Sequence, residues 1–359
     1  MPRGDVTQHA GIRWLHAILI LLALLTSESL AGAPASFSPN VSGMYVANSA
    51  SNSISVYAPG ASGDVAPLRV ISGPNTGISN PWSVALDAAG RVYVANSDSI
   101  TVYAPGVGGP PGSPTANAVP IRAISGFSAR VRGPTGLALD AAGYLYVGNF
   151  GAIRVYAPIG EGPPTSPASS SGPVREILSS LETRGVVLDP TGGLYVANAM
   201  SPYRKGGGSI DIYIPGAGGR AGSAEASVAT RRTINGTETG LNQPSGVALD
   251  SAGNLYVANE SSITVYAPDV GGFYDSPKAN VPPIRNISGA NTRLINSWGV
   301  ALDAAGYLYV SNATANTITV YAPGSGGPLG SSAANVAPIR TISGPRTGLS
   351  LPYLIFLRP

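Results

Sequence analysis

The stretch Gly299–Asn312 reads GVALDAAGYLYVSN, and four relatives of it stand earlier in the chain. They are SVALDAAGRVYVAN (Ser83–Asn96), GLALDAAGYLYVGN (Gly136–Asn149), GVVLDPTGGLYVAN (Gly185–Asn198) and GVALDSAGNLYVAN (Gly246–Asn259). Their aspartates lie at 87, 140, 189, 250 and 303, so the period is 53, 49, 61 and 53 residues. Periods of this size mark repeat architectures in which no single unit buries its own apolar surface.

Two further elements follow each copy. One is ISVYAP, ITVYAP, IRVYAP, IDIYIP, ITVYAP and ITVYAP; the other is PLRVISG, PIRAISG, PVREILS, TRRTING, PIRNISG and PIRTISG. Each of these occurs six times, whereas the full first element occurs five times. A unit therefore reads as four strands: a (GVAL), b (YLYVA), c (ITVY) and d (PIRTIS). All are short, rich in β-branched and aromatic residues, and bounded by Gly, Pro, Asn and Asp. The Asp-x-x-Gly step between a and b is a turn whose glycine supplies a left-handed residue. No helical period is sustained between residues 43 and 359. The expected fold is all-β, a six-bladed β-propeller of four-stranded blades over 43–359.

The ends of the chain explain the uneven count. The first unit opens at GMYVAN (Gly43–Asn48), already in strand b, and the last residues, LPYLIFL (Leu351–Leu357), supply a strand a with nothing after it. The C-terminal strand is expected to complete the first blade and close the ring, which removes an open sheet edge.

The pattern P-x-G-V-A-L-D-x-x-G-x-L-Y-V-A-N followed by I-x-V-Y resembles the NHL-repeat family of six-bladed β-propellers, in its bacterial secreted form. The resemblance covers nearly all of 43–359 and implies a fold; members of that family serve as enzymes, ligand binders or platforms for protein and RNA, so it does not imply one activity. This chain departs from the family pattern at Asn48, Asn96, Asn149, Asn198, Asn259 and Asn312, where aspartate is more usual. Its c–d connections, such as Pro105–Pro120, are also long and rich in Gly and Pro.

Residues 1–31 belong to another class. Arg3 and Arg13 precede the apolar run Trp14–Leu25, and Ser29-Leu30-Ala31 supplies a small-x-small cleavage pattern. This is the layout of a secretory signal peptide, with too short an apolar run to span a membrane. Residues 32–42 then form a short linker, and the product is expected to be secreted, periplasmic or extracellular, without stable membrane insertion after cleavage. There is no cysteine, and the two histidines, His9 and His16, both lie in the leader. Disulfides, thiol catalysis and histidine-based catalysis are thus excluded from the processed chain. A net charge of +3 carried by scattered arginines is no nucleic-acid footprint.

Most repeated polar residues have structural readings. The turn aspartates cap backbone N–H groups, the asparagines ending strand b make turn bonds, the strand-d arginines (Arg69, Arg122, Arg175, Arg232, Arg285, Arg340) protect an outer edge, and the tyrosines fill the space between blades. Function is sought where the repeat breaks. The residue just before each strand a is Trp82, Thr135, Arg184, Ser245, Trp298 or Tyr353. These positions ring one channel mouth, with Trp298, Tyr353 and Trp82 adjacent and Arg184 across from them. The enlarged b–c loop Asn198–Asp211 adds Tyr203 and Arg204 to the same face. An aromatic shelf with basic residues can stack on a sugar ring or grip an anionic group. The expected role is non-catalytic binding of an extracellular carbohydrate or protein segment by a monomer, with no cofactor and no metal. The alternative is a metal-dependent, lactonase-like hydrolase, which the resemblance also implies and which needs carboxylates at the channel mouth.

Overall fold

The computed structural model describes residues 42–358 apart from 160–171, 200–206, 221–222, 224–225, 227–231 and 274–275. The expected leader, 1–31, and all of the expected linker except Ser42 lie outside the described residues. The chain is all-β, and its helical content among the described residues is limited to single 3₁₀ turns of three residues. No helix among them is long and apolar enough to cross a membrane.

Four sheets have four antiparallel strands each. In repeat 2 they are Ser83–Leu86, Val92–Ala95, Ser99–Tyr103 and Arg122–Ser125, in the order a-b-c-d. Repeats 5 and 6 follow the same plan from Val247 and from Ser297. In repeat 1, Gly43–Asn48 pairs with Ser53–Tyr57 on one side and with the C-terminal strand Pro352–Arg358 on the other, Tyr45 facing Phe356.

Repeats 3 and 4 depart from the plan: they run together as one six-stranded sheet. Its two long strands, Leu145–Tyr156 and Arg175–Leu188, each cover two elements of the sequence repeat. From Arg175 to Leu188 is 14 residues, four fewer than from Arg69 to Leu86. The missing residues are those of the turn that separates d from a elsewhere, Gly-x-x-Thr in four places and Gly-x-x-Ala at 126–129, so the backbone continues in extended form.

The strands are apolar on both faces because both faces are buried. Successive residues of Gly43–Asn48 point to opposite sides. Tyr45 and Ala47 join a cluster with Val84 and Val94 of repeat 2, while Met44 and Val46 join Ala301, Ile318 and Val320 of repeat 6. The six apolar clusters each lie between two repeats: 1–2, 2–3, 3–4, 4–5, 5–6 and 6–1. Each fully buried Val, Leu or Ile contributes about 1.5–3 kcal/mol.

Polar contacts between repeats recur in register. The strand-c tyrosine donates to a carbonyl of the preceding d–a turn: Tyr103 to Thr76, Tyr156 to Ala129, Tyr266 to Thr239 and Tyr321 to Thr292, at 2.5–2.7 Å. Tyr57 donates in the same way to Thr347 at 2.5 Å, across 290 residues. The c–d loops reach back too. Gly109 exchanges two backbone hydrogen bonds with Val70, Gly219 with Glu176, Gly272 with Thr233 and Gly327 with Asn286. Gly63 bonds Thr341 and Ser343 in the same place. These bridges occupy outer-strand N–H and C=O groups that would otherwise be open to another chain.

Five of the six strand-d arginines are engaged within the fold rather than protecting an exposed edge. Arg69 is 2% exposed, and its guanidinium donates to the Tyr45 hydroxyl and to the Val107 carbonyl of the next repeat. Arg175 does the same with Tyr146 and Ala217. Arg285 and Arg340 reach Tyr256 and Tyr309. The long side chain lies under the c–d loop, and its charge is spent on fixing that loop in place.

The six inner strands surround one cavity of about 370 Å³. Around it they touch in the order Ser83–Leu86, Gly136–Leu139, Arg175–Leu188, Val247–Leu249, Ser297–Leu302 and Pro352–Arg358, and the last also touches the first. Glycine holds the equivalent position at this end of the channel in four repeats (Gly136, Gly185, Gly246 and Gly299), because neighbouring backbones approach closely there. A Cβ on Gly185 would stand 2.2 Å from the Ser245 carbonyl oxygen, and one on Gly246 2.4 Å from that of Trp298.

Candidate functional site

The position before each inner strand is fixed by the hairpin behind it and the strand beside it. The Trp82 amide donates to Ala95 of its own sheet, and its carbonyl accepts from the Leu354 amide of the C-terminal strand. The Trp298 carbonyl likewise accepts from the Gly246 amide. Backbone bonds on two sides thus hold each side chain at the end of the channel. The cavity begins one residue further in, at Ser83, Gly185 and Leu354.

Four of the six sequence-predicted residues come together there. The rings of Trp82 and Tyr353 stack at 4.5 Å with 15° between their planes. Trp298 meets Trp82 edge-on at 5.4 Å and Tyr353 at 4.6 Å. Such pairs add about 0.5–1.5 kcal/mol beyond their buried area. Arg184 does not stand across from the rings: its guanidinium carbon lies 4.9 Å from the centre of the Trp298 ring, a cation–π contact. The long extended strand Arg175–Leu188 carries it there, and Glu182 on the same strand accepts from its Nε at 3.1 Å. All four side chains are half-buried. Tyr203 and Arg204, the other two candidates, lie outside the described residues.

The remaining ring positions turn inward. Thr135 donates to the Thr183 carbonyl, and Ser245 to that of Trp298. The mouth is therefore lopsided: aromatic over repeats 6, 1 and 2, and basic where repeat 4 leans on Trp298. Burial raises the Tyr353 phenol above its ordinary value, against the lowering effects of a Ser49 hydrogen bond and the Arg184 charge. The hydroxyl stays protonated and can donate.

Sequence reasoning missed the polar rim of this cluster. Asn296 accepts from the Trp298 indole N–H at 3.1 Å, and Ser49 bonds the Asn80 side chain. Glu182 was findable, since residues two apart on a strand share a face. Ser49, Asn80 and Asn296 come from three different turns, and only folding brings them near.

The turn aspartates act locally. Oδ1 of Asp303 accepts from the Ala305 and Tyr307 amides, and Asp140, Asp189 and Asp250 repeat the pattern. Asp189 is opposed by burial, which raises its pKa, yet hydrogen bonds from Thr191 and Gly193 leave it below the ordinary carboxylate value. Among the described residues no three acidic side chains gather closely enough to hold a metal ion.

The sequence matches no family profile, and no curated protein matches it. Solved structures do resemble it in fold. A chain of a nidogen/laminin complex aligns with a TM-score of 0.55 at 14% identity, over 89% of this chain and 98% of that one. A protein of unknown function from Bacteroides caccae aligns with a TM-score of 0.55 at 11% identity, over 89% and 99%. A streptogramin B lyase structure aligns more loosely, at 0.45 and 13% identity, over 79% of each chain. The all-β architecture of four-stranded antiparallel sheets around a common cavity is that of a β-propeller. At these identities the likeness is one of fold alone.

Proposed function

We propose that this chain is a secreted, monomeric, six-bladed propeller of NHL type, closed by its C-terminal strand, whose work is to bind. Closure is supported by the recurrence between repeats 1 and 6 of contacts made between consecutive repeats: the tyrosine bond of Tyr57, the glycine bridge of Gly63 and a shared apolar cluster. The signal peptide of residues 1–31 directs the product outside the cytoplasm. The ligand is an extracellular carbohydrate or protein segment received at the aromatic end of the channel.

The observation that carries the binding reading is the gathering of Trp82, Trp298, Tyr353 and Arg184, all half-exposed, at one end of the channel. Packing alone needs no tryptophan there, since Thr135 and Ser245 fill the equivalent places in repeats 3 and 5. Indole faces and a guanidinium fork suit a sugar ring with a carboxylate or an acidic peptide.

The test is a titration of the purified processed chain with soluble glycans, cell-wall fragments and peptides, followed by intrinsic fluorescence. One ligand class is expected to give a saturable change that Trp82→Ala and Trp298→Ala both abolish. A flat response across the panel removes the mouth as the site. Hydrolysis of a lactone that appears with calcium and disappears with a chelator would overturn the binding reading in favour of the metal-dependent hydrolase.

A further inference from the structure

At the opposite end of the inner strands from the aromatic cluster lies a second cavity, of about 600 Å³. It shares Leu249, Leu302 and Leu357 with the channel, and so begins where the channel ends. Its origin is topological. In repeats 2 to 6 an Asp-x-x-Gly turn joins the inner strand to the next one. In the first sheet those two strands come from opposite ends of the sequence, so no turn stands between Pro352–Arg358 and Gly43–Asn48. The space a sixth turn would fill is walled by Met44, Ala58 and Leu357 of the first sheet and by the neighbouring turns of repeats 5 and 6.

The geometry points to this seam pocket as a binding site for a small organic molecule with an apolar body and a hydroxyl or amino donor. Its volume falls within the roughly 300–1,000 Å³ of ligand sites. Its walls are mainly apolar, and its polar lining includes Asp250, Asp303, Ser42, Ser251 and Tyr309. Asp303 is the acceptor with capacity to spare, whereas Asp250 already accepts four hydrogen bonds. Oδ1 of each is taken by two backbone amides, while Oδ2 receives a tyrosine hydroxyl only at long range, 3.5 Å from Tyr256 and 3.3 Å from Tyr309. Asp250 Oδ2 also accepts from Asn254. A carboxylate can accept about four hydrogen bonds, so Asp303, with three, keeps a place for a donor on the ligand, and the two neighbouring carboxylates disfavour an anion. Arg358 also borders the pocket, and its guanidinium lies close to Gly90 of repeat 2. This site is independent of the one at the channel mouth, and either can fail alone.

Two fluorescent probes of similar size test it. N-phenyl-1-naphthylamine is neutral with one N–H donor; 8-anilinonaphthalene-1-sulfonate adds a sulfonate. The neutral probe is expected to bind saturably at one site per chain, at least about tenfold more tightly than the anionic one, because like charges repel across a desolvated contact. Ala305→Trp and Ala304→Trp, both on an exposed turn bordering the pocket, are expected to weaken it by at least about tenfold while leaving the melting temperature unchanged. Trp82→Ala is expected to leave it unaltered. Equal affinity for the two probes, binding indifferent to both turn variants, or binding lost in Trp82→Ala would each overturn the assignment.

Discussion

The asparagines that end strand b show how one residue can hold three elements. Asn259 is fully buried; its Nδ2 donates to the Thr264 hydroxyl and the Val257 carbonyl, while its Oδ1 accepts from the Asn242 amide. Asn96 and Asn312 are placed alike. An amide supplies donor and acceptor without charge, whereas a carboxylate would face two acceptors in a dry site. Asn259→Asp is therefore expected to cost about 1–3 kcal/mol at pH 7 by urea unfolding. The introduced acid has its folded pKa raised, so its penalty should be smallest below about pH 4 and grow as pH rises. A constant penalty across that range would mean that water reaches the site. Burial also removes Asn259 and Asn312, which stand in Asn-x-Ser/Thr patterns, from modification in the folded chain.

At the scale of the element, the inner strands are limited by how closely their backbones approach. Gly185→Ala places a methyl carbon against the Ser245 carbonyl, a backbone atom that cannot swing aside, and is expected to cost about 1–3 kcal/mol in the midpoint of unfolding. The junction of repeats 2 and 3 uses a different device. Glu176 is 1% exposed and accepts from Arg154 Nε at 2.9 Å and Arg130 at 3.2 Å, which ties the d–a turn of repeat 2 to the outer strand of repeat 3. Removing one partner leaves charge buried without its counterion. Glu176→Ala should cost about 3–5 kcal/mol, measured by the same unfolding curve. A loss under 1 kcal/mol would show that the two arginines are already solvated.

At the scale of the whole molecule, stability is distributed over junctions that depend on one another. The strand-c tyrosines are buried without charge, and desolvation pushes Tyr103 and Tyr321 up to about 12 and raises Tyr57, Tyr156, Tyr213 and Tyr266 further. The unfolded phenol titrates near 10, so the folded state holds its protons longer. Stability from this source is complete below about pH 10 and is lost as pH rises toward 12. Phenolate absorbance should therefore appear together with the loss of β-sheet circular dichroism, in one cooperative step. Separate transitions would mean that the rings titrate in the intact fold. Deleting Pro352–Pro359 strips the pairing partner from Gly43–Asn48 and opens both neighbouring junctions. The truncated chain is expected to aggregate or to melt well below the full one; a monomer with an unchanged melting curve would overturn the proposal that the C-terminal strand closes the ring.

By itself the sequence determined the strand content, the repeat period, the Asp-x-x-Gly turns and the adjacency of Trp82, Trp298 and Tyr353. All of these follow from local chemistry repeated in register, and a break in a repeat is visible without coordinates. It misplaced five of the six strand-d arginines, because an exposed edge and a clamp beneath a neighbour's loop require the same residue. It put Arg184 across the channel mouth, since residue order within a ring does not say how far a side chain leans. The seam pocket was invisible in it. That pocket arises from a turn missing between strands more than 300 residues apart, and only the tertiary structure brings those strands together.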